Sequence, residues 1–406
     1  MHSYKYVILG GGTATGYAVK EFVERGVKPG EVALVSSDST VPYDRPPLSK
    51  GFLTGEKSAE DCQIAPRSFY DEHGVDIWLN TPIVQVNLED RRLITEYDER
   101  IGYDSLLIAT GGRVRTFGAA GEIDPGIHYL RDLYDARAIR ETAKEVRECL
   151  VIGGGFIGME VAASLCTRGN DVRLVFQEDR LNPRVFTPDM SAAFARYFED
   201  KGVTLMPGNN VRKFTRHASM VKAHLENGAS AEAPLVVAGV GVQPATRLFE
   251  DSRMDTSDGI KVDEYLETEV SHVYAAGDVA RWWDGLHNRY RRVEHWQNAA
   301  NQGRCAAANM MGEVITYSDP PYFFSDVFDL SWELWGDRRP ATEAVLLGNL
   351  DEYSFSTWWL DASGAVTAAF VMARDDDERE AAKNAVSERA PMPDALRRDA
   401  KSLAGV

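Results

Sequence analysis

A buried strand leads directly into a glycine-rich turn in the stretch Cys149-Leu150-Val151-Ile152-Gly153-Gly154-Gly155-Phe156-Ile157-Gly158. A helical pattern continues to Arg168, a second apolar run covers residues 172–176, and Glu178 follows that run. This order of strand, glycine turn, helix, strand and acid is typical of a mononucleotide-binding βαβ unit. Glycine is needed at the turn because a Cβ would keep the backbone away from a pyrophosphate, whose charge lies at the helix N-terminus. Glu178 would accept hydrogen bonds from ribose hydroxyls.

The same order occurs at the N-terminus of the chain. Residues 4–9 form an apolar run that ends in Gly10-Gly11-Gly12-Thr13-Ala14, and a helical pattern follows. A second apolar run covers residues 32–35, and Asp38 lies just beyond it. The third glycine position of this copy is Thr15, which we expect to loosen the packing of the helix against the strand. Two such units predict two bound dinucleotides.

The length and composition are those of a globular protein. The 406 residues suggest about three domains. Hydrophobic residues make up 44% of the chain and charged residues 26%. No apolar run approaches the roughly 20 residues that a membrane-spanning helix needs, and the N-terminus leads straight into a strand-like run rather than a signal peptide. We therefore expect a cytoplasmic protein with no membrane partner.

The formal net charge is −17. Nucleic-acid binding needs a basic surface that replaces counterions, so the charge argues against a nucleic-acid partner. It also weakens the case for docking of an acidic protein, although a local basic patch can exist on an acidic protein.

The cysteines give no support for a metal centre or a redox-active disulfide. Cys62, Cys149, Cys166 and Cys305 are scattered without CxxC or CxxxxC spacing. We expect all four to be buried as small apolar side chains.

Three further motifs give the chain its resemblance to a known family. They are Ala109-Thr110-Gly111-Gly112, Val236-Val237-Ala238-Gly239-Val240-Gly241 and Val273-Tyr274-Ala275-Ala276-Gly277-Asp278. Together with the two βαβ units they resemble the two-dinucleotide-binding flavoprotein family over essentially the whole chain. In that family the first two motifs mark where the chain leaves and re-enters the FAD domain, and the Asp of the third contacts the ribityl and phosphate region of the flavin.

The resemblance implies an α/β fold with two Rossmann-like dinucleotide-binding domains and a C-terminal α+β domain. The expected boundaries are residues 1–113 and 244–315 for the FAD domain, 114–243 for the NADH domain and 316–406 for the C-terminal domain.

The resemblance also assigns cofactor-binding residues, with no metal. For FAD they are Gly10, Gly12, Thr13, Ala14, Asp38, Arg45, Lys50, Ala109, Thr110, Gly111, Gly277, Asp278, Glu294, His295 and Trp296. For NADH they are Gly153, Gly155, Phe156, Ile157, Gly158, Glu178 and Gly241.

The segment Pro42-Tyr43-Asp44-Arg45-Pro46-Pro47-Leu48-Ser49-Lys50 indicates the branch of the family. It lies where disulfide reductases of the family carry a CxxxxC motif. It closely resembles the cysteine-free branch, which includes ferredoxin reductases of oxygenase systems, monodehydroascorbate reductases and apoptosis-inducing factor. In that branch the flavin passes electrons directly to an acceptor. By resemblance, Lys50 would lie near the reactive N5 edge and pair with Glu160, and both are predicted to be catalytic.

The segment Arg291-Arg292-Val293-Glu294-His295-Trp296 resembles the one that crosses the flavin face in this family. Trp296 matches the tryptophan of ferredoxin reductases, whereas His295 and the arginines match monodehydroascorbate reductases and apoptosis-inducing factor. Arg291 and Arg292 are candidates for binding the acceptor. The alternative for them is a solvated basic pair.

Several segments favour the monodehydroascorbate reductases, namely residues 26–31, 183–187 and 328–332. Two departures concern the acceptor. The family's ascorbate-binding tyrosine is Phe324 here, which we keep as a predicted substrate-binding residue, and an expected arginine is Asp326. The loop between Gly51 and Arg67 is short, as in bacterial ferredoxin reductases.

The sequence therefore predicts an FAD-dependent NADH oxidoreductase that passes single electrons to an external acceptor. That acceptor is either a small organic radical, as for monodehydroascorbate reductase, or an iron–sulfur protein, as for a ferredoxin or rubredoxin reductase. An alternative is a redox-sensing flavoprotein similar to apoptosis-inducing factor. The oligomeric state is expected to be monomer or homodimer.

Overall fold

The computed structural model describes residues 2–124 and 126–403 and contains both strands and helices. In chain order the strands are β1 (His2–Leu9), β2 (Val32–Val35), β3 (Asp76–Trp78), β4 (Ile83–Asn87), β5 (Arg92–Thr95), β6 (Arg100–Ile108), β7 (Gly112–Val114), β8 (Ile127–Tyr129), β9 (Glu148–Ile152), β10 (Asp171–Val175), β11 (Thr204–Met206), β12 (Val211–His217), β13 (Met220–Leu225), β14 (Ser230–Ala233), β15 (Leu235–Ala238), β16 (Val242–Pro244), β17 (Ile260–Lys261), β18 (Val273–Ala275), β19 (Ala280–Asp284), β20 (Arg289–Arg291), β21 (Tyr322–Val327), β22 (Leu330–Gly336), β23 (Glu343–Asn349), β24 (Ser354–Leu360), β25 (Val366–Met372) and β26 (Lys401–Ser402). The α-helices are α1 (Thr13–Glu24), α2 (Gly51–Thr54), α3 (Arg67–Glu72), α4 (Leu133–Glu145), α5 (Phe156–Thr167), α6 (Pro188–Asp200), α7 (Trp296–Met310), α8 (Asp376–Glu388) and α9 (Asp394–Arg397).

The chain divides into two compact units. Unit 1 contains Met1–Arg45, Ala59–Arg113 and Val242–Asp319, and unit 2 contains Pro46–Ser58, Val114–Gly241 and Pro320–Val406. The division groups the predicted NADH segment with the C-terminal segment, and it places residues 46–58 with them. The finer division into four segments remains a prediction.

Unit 1 is built on a mainly parallel sheet with the order β3-β2-β1-β6-β5-β4, in which β18 also pairs with β6. Strand β1 runs parallel to β2, with Tyr6 opposite Val32 and Leu9 opposite Val35. Every residue of β2 is buried, as expected for a continuous apolar run in a parallel sheet covered on both faces. The carboxyl ends of β1, β6 and β18 therefore meet at one edge of the sheet.

Helices α1 and α7 of unit 1 pack closely against each other. A Cβ on Gly303 of α7 would overlap the backbone carbonyl of Ala14 in α1. Glycine is therefore required where the two helices cross, and this close approach brings the start of α7 towards the first glycine turn.

Unit 2 contains a parallel sheet with the order β11-β10-β9-β15-β8, an antiparallel sheet β12-β13-β14 and the C-terminal antiparallel sheet β21-β22-β25-β24-β23-β26. One apolar core includes side chains from both the NADH segment and the C-terminal sheet. Within it the ring of Trp332 lies 5.0 Å from that of Phe194 and 5.8 Å from that of Phe186. This shared core explains why the two segments form one unit. In the C-terminal sheet, β21 is an edge strand.

The predicted α/β class with two Rossmann-like units and a C-terminal α+β domain is confirmed by these sheets. The expectation about Thr15 is wrong. Thr15 is fully buried, and its hydroxyl donates a 3.0 Å hydrogen bond to the Gly10 carbonyl, which ties the helix to the strand end. In the second βαβ unit a Cβ on Gly158 would overlap the carbonyl of Gly153. The helix therefore packs closely on the strand end in both βαβ units, through a threonine hydroxyl in the first and a glycine in the second.

Within the described residues, none of the helices is long and apolar enough to cross a membrane. The cytoplasmic location remains a prediction.

Candidate functional site

The first glycine turn lies at the edge of the unit 1 sheet, between β1 and α1. Gly10 has a φ of +138°, and a Cβ there would overlap the carbonyl of Ala109 at the end of β6. A Cβ on Gly11 would overlap the hydroxyl of Ser36. Only glycines allow the neighbouring strand ends to close around this turn, and the turn leads into Thr13 and the positive end of α1.

Asp38 and Arg45 lie beside this turn. A Cβ on Gly12 would lie 3.8 Å from the Arg45 guanidinium, so Arg45 faces the start of α1. The Asp38 carboxylate accepts a 3.0 Å hydrogen bond from the Tyr43 hydroxyl. The same tyrosine ring lies 5.6 Å from the centre of the Arg45 guanidinium. A helix N-terminus, a facing arginine and a nearby carboxylate fit the diphosphate and ribose of a dinucleotide.

The late strand β18 brings Gly277 and Asp278 to the same turn. A Cβ on Gly277 would lie 3.3 Å from the Ala14 side chain, so the backbone at this position packs directly on the start of α1. The Gly277 amide donates a 2.9 Å hydrogen bond to the buried side chain of Gln302. Asp278, which follows, is half-buried.

Thr110 and Gly111 close the other side of this region. The Thr110 hydroxyl donates a 2.9 Å hydrogen bond to the Ala245 carbonyl, and the Ala245 amide donates one of the same length to the Gly111 carbonyl. Gly111 has a φ of +67°, which favours glycine. These bonds hold the two chain crossings of unit 1 together beside Ala109.

Trp296 is the first residue of α7 and is half-buried. Its indole NH donates a 2.5 Å hydrogen bond to Asp44, and its ring meets that of Tyr17 edge to face at 5.8 Å. His295 caps the helix, because its Nδ1 accepts a 3.3 Å hydrogen bond from the Gln297 amide. Sequence reasoning missed Asp44 and Tyr17, although Asp44 lies within the motif that contains Arg45.

Arg291 and Arg292 are not a solvated basic pair. Arg291 is 8% exposed, and its Nε lies 2.6 Å from the carboxylate of Asp284. Arg292 donates a 3.1 Å hydrogen bond to the Asp278 carbonyl and also pairs with Glu294. The burial of Arg291 argues against the acceptor-binding role predicted for it, whereas Arg292 positions the segment that carries Glu294.

Asp284 is the centre of this buried charge cluster. It also accepts a 2.7 Å hydrogen bond from His287 Nδ1. Burial alone would raise the pKa of Asp284, but the His287 bond and the Arg291 charge outweigh it and hold the pKa below its ordinary value. When Asp284 is ionised, the cluster therefore stabilises the hairpin formed by β19 and β20.

The second glycine turn, in unit 2, repeats the geometry of the first. Gly153 has a φ of +121°, and a Cβ there would overlap the carbonyl of Gly239. A Cβ on Gly155 would meet nothing within 4 Å, so the space in front of the turn is open. The apolar side chain of Ile157 is 43% exposed at the start of α5. An open turn at a helix N-terminus, with an exposed apolar side chain beside it, fits a second dinucleotide.

Three more of the residues predicted to bind NADH are Glu178, Gly241 and Phe156. Glu178 is half-buried, and its backbone carbonyl accepts a 2.8 Å hydrogen bond from Gly208. Gly241 has a φ of +100°, as its turn requires. The ring of Phe156 lies parallel to that of Phe323 in β21, 6.0 Å away, so Phe156 also packs against the C-terminal sheet.

The predicted pair of Lys50 and Glu160 is present in unit 2. Glu160 is 5% exposed on α5, and its carboxylate lies 3.4 Å from the Lys50 ammonium. It also accepts hydrogen bonds from the hydroxyls of Ser49, at 2.5 Å, and Ser325, at 2.6 Å. Burial raises the pKa of Glu160, and Lys50 and the two hydroxyls oppose that rise. Ser49 and Ser325 were missed, because hydroxyls that support a buried acid have no sequence pattern of their own.

Lys50 has a second acidic partner. Its ammonium lies 3.0 Å from the Asp326 carboxylate and 4.7 Å from the centre of the Phe324 ring. Phe324 and Asp326, the two departures from the family pattern, therefore both contact the predicted catalytic lysine.

The cysteines lie apart from this chemistry. All four are free, and burial raises the pKa of Cys149 and Cys305 to about 12. Cys166 is half-buried, which corrects the expectation that all four are buried. No group of three potential metal ligands occurs in the part of the chain that the structure describes.

Comparison with known families places the chain. Residues 4–303 match the pyridine nucleotide-disulphide oxidoreductase family, and residues 320–404 match the C-terminal domain of the monodehydroascorbate reductase 3-like type. The chain therefore belongs to the pyridine nucleotide-disulphide oxidoreductase family. It is an oxidoreductase that uses FAD and NADH, which confirms the cofactors that the family resemblance implied.

Individual relatives include monodehydroascorbate reductases of plants. The seedling isozyme of Cucumis sativus is 37% identical, with 93% of each chain covered, and the enzyme of Pisum sativum is 36% identical, with 94% of this chain and 93% of the relative covered. Among solved structures, the ferredoxin reductase of the CYP199A2 system from Rhodopseudomonas palustris has a TM-score of 0.88 at 30% identity, with 92% of each chain covered. The structure of a covalent putidaredoxin reductase–putidaredoxin complex has a TM-score of 0.91 at 28% identity, with 98% of this chain and 96% of the other covered.

Proposed function

We propose that this protein is an NADH-dependent reductase that delivers single electrons to a small external acceptor. The observation that carries the proposal is the ion pair between Lys50 and the fully buried Glu160, in a chain whose cysteines are free and mostly buried. FAD, when bound, takes up two electrons together from NADH and can release them one at a time.

The residues of unit 1 suit the binding of FAD. The open turn at Gly12 and the start of α1 would bind the diphosphate, together with Arg45. Asp38 would bind the ribose of the adenosine half. Asp278 and Thr110, at the carboxyl ends of neighbouring strands, would hold the ribityl chain. Trp296, held by Asp44, would cover the flavin end.

The residues of unit 2 suit the binding of NADH. Gly155 leaves room for the pyrophosphate at the start of α5, and Ile157 offers apolar contact. Glu178 would accept hydrogen bonds from both ribose hydroxyls.

Lys50 would stabilise negative charge that develops during hydride transfer, since an ammonium in a partly buried site acts in a low local dielectric. Glu160 holds the lysine in place, and Ser49 and Ser325 orient Glu160. The two hydroxyls favour the ionised form of Glu160, which keeps it a partner for the Lys50 ammonium.

Two acceptor classes follow from the relatives. The plant relatives are named for monodehydroascorbate, and this favours a small organic radical. Ferredoxin and putidaredoxin reductases are the second candidate, supported by Trp296 and by the similar structures. The net charge of −17 counts against the second, because ferredoxins are commonly acidic.

The test is a stopped-flow comparison of acceptors on the FAD-loaded protein. After reduction by NADH, reoxidation is followed with enzymatically generated ascorbate radical, with a [2Fe–2S] ferredoxin and with 1,4-benzoquinone. Turnover with a small acceptor that exceeds turnover with the ferredoxin supports the proposal. Fast turnover with the ferredoxin alone would establish the second candidate. A long-lived reduced complex with every acceptor would contradict both and favour a redox sensor.

A further inference from the structure

Lys50 lies between one buried and one half-exposed carboxylate. The Asp326 carboxylate is 3.0 Å from the ammonium, closer than Glu160 at 3.4 Å. The side chain of Glu160 is 6% exposed, that of Lys50 16% and that of Asp326 43%. A molecule that approaches Lys50 from solvent therefore meets the negative charge of Asp326 first.

The edge strand β21 presents a neutral, aromatic surface beside this carboxylate. Tyr322, Phe324 and Asp326 alternate along the strand and share one face. A cavity of about 220 Å³ on this side is lined by Tyr322 and Phe324 and by the ion pair of Glu333 with Arg379, among others.

The charges of the cavity compensate each other. Arg379 is paired with Glu333, and Arg374 with Glu378 at 2.8 Å. The arginines that line the cavity are thus neutralised by acids of the same domain. Asp326 pairs with Lys50, a lysine that Glu160 already shares, and so adds negative charge to the region.

We propose that Asp326 sets the charge class of the electron acceptor, so that the protein reduces uncharged or cationic one-electron acceptors in preference to anionic ones. This inference rests on the proposed function and deepens it. One NADH reduces two acceptor molecules, each by one electron, and yields NAD⁺ and one proton. A carboxylate acts on an approaching ion over roughly one Debye length, about 8 to 10 Å at moderate salt, so direct contact is not required.

The charge of Asp326 bears on the acceptor for which the plant relatives are named. The ascorbate radical is an anion at neutral pH, so Asp326 disfavours its approach. An uncharged acceptor of the quinone class meets no such penalty, and it suits an aromatic surface.

The experiment compares kcat/KM for three acceptors of different charge. They are ferricyanide, an anion, 1,4-benzoquinone, which is uncharged, and hexaammineruthenium(III), a cation. Each is measured with saturating NADH in the unmodified protein, in Asp326→Asn and in Asp329→Asn. The last is the matched control, because Asp329 lies three residues away, is 71% exposed and pairs with Lys201 instead of Lys50.

Asp326→Asn is expected to raise kcat/KM on the order of fivefold for ferricyanide and to lower it by a similar factor for the ruthenium complex. The value for benzoquinone should stay within about twofold, and 0.5 M salt should shrink both changes. Asp329→Asn should shift no acceptor by more than about twofold, and Asp326→Glu should restore the original order.

Three results would overturn the inference. Unchanged ratios between the acceptors in Asp326→Asn show that the carboxylate does not select by charge. A uniform fall for all acceptors, together with slower reduction by NADH, shows that Asp326 acts only by holding Lys50. If the unmodified protein reduces none of the three with NADH, the proposed function fails and this inference fails with it.

Discussion

Ser325 donates a 2.6 Å hydrogen bond to the carboxylate of Glu160, from which it is separated by 165 residues of sequence. The bond joins the edge strand of the C-terminal sheet to the helix that follows the second glycine turn. Both groups are buried, so the C-terminal segment takes part directly in holding the acid that pairs with Lys50.

Ser325→Ala should destabilise the protein by about 1 to 3 kcal/mol, because a buried carboxylate loses one of its donors. Urea unfolding of unit 2, followed by tryptophan fluorescence, measures the change. The control is Ser354→Ala. The Ser354 hydroxyl donates to a backbone carbonyl at an exposed position, and its loss should lower the free energy of unfolding by less than about 0.5 kcal/mol. Equal effects of the two substitutions would show that the bond to Glu160 stabilises the protein no more than an exposed hydrogen bond does.

Lys50→Ala should slow hydride transfer by on the order of tenfold to a hundredfold while leaving FAD binding nearly unchanged, since the lysine charge matters most when negative charge develops. Stopped-flow bleaching of the flavin band by NADH gives the rate, and ultrafiltration gives the FAD content. Glu160→Ala should show a smaller defect of the same kind. Lys201→Ala, which removes an exposed lysine paired with Asp329, is the control. Unchanged reduction rates in both test variants would show that the charge of Lys50 does not assist hydride transfer.

The glycine turns and their order could be predicted from the sequence because they depend on local geometry. Gly10 and Gly153 need a positive φ and a close backbone approach, and such needs leave a pattern of fixed spacing. The contact of Asp326 with Lys50 could not be predicted, because it depends on which side chains two distant segments bring together. The burial of Arg291 was missed for a different reason: its pairing with Asp284, on the neighbouring strand of a hairpin, has no sequence pattern of its own.

Asp284→Asn should destabilise unit 1 by about 3 kcal/mol at pH 7, because the buried Arg291 loses its carboxylate partner. The pKa of Asp284 lies below its ordinary value of 3.8. The stabilisation from Asp284 is therefore complete above about pH 4, and it is lost as the pH falls through the lowered value in the folded protein. Urea unfolding at pH 5 and pH 3 should show a smaller difference in the free energy of unfolding between the two proteins at pH 3 than at pH 5. A gap that widens towards pH 3 would contradict the assigned direction.

Alkylation of the cysteines under native conditions should leave reduction by NADH intact. Burial raises the pKa of Cys149 and Cys305 to about 12, so very few of these thiols are ionised at pH 7.5. The half-buried Cys166 should react first, as mass spectrometry after iodoacetamide treatment would show. Loss of flavin reduction in a protein that remains folded would contradict the cysteine-free mechanism. Cys166→Ser provides the matched control.

The choice of nicotinamide cofactor should depend on Glu178. The 2′-phosphate of NADPH would bring roughly −1.5 to −2 charges against this carboxylate. Two like unit charges about 4 Å apart repel by on the order of 4 kcal/mol at an effective dielectric near 20. Glu178 is half-buried, so solvent screening reduces this figure. We expect at least a tenfold preference for NADH in kcat/KM.

Two arginines of unit 2 limit that preference and decide how it should respond to mutation. Arg180 follows Glu178 closely in sequence. Burial, and then the charge of Arg180, lower the pKa of Arg338. Arg338 is anchored by the backbone carbonyls of Pro183 and Arg184. Glu178→Ala should therefore narrow the preference mainly by raising kcat/KM for NADPH, because the positive charge of the arginines remains when the carboxylate is gone. Adding Arg180→Ala should remove most of that gain, whereas Glu199→Ala, an exposed acid on α6, should leave the ratio unchanged. Equal efficiency of NADH and NADPH in the unmodified protein, measured as the rate of flavin reduction over a range of cofactor concentrations, would refute the role of Glu178.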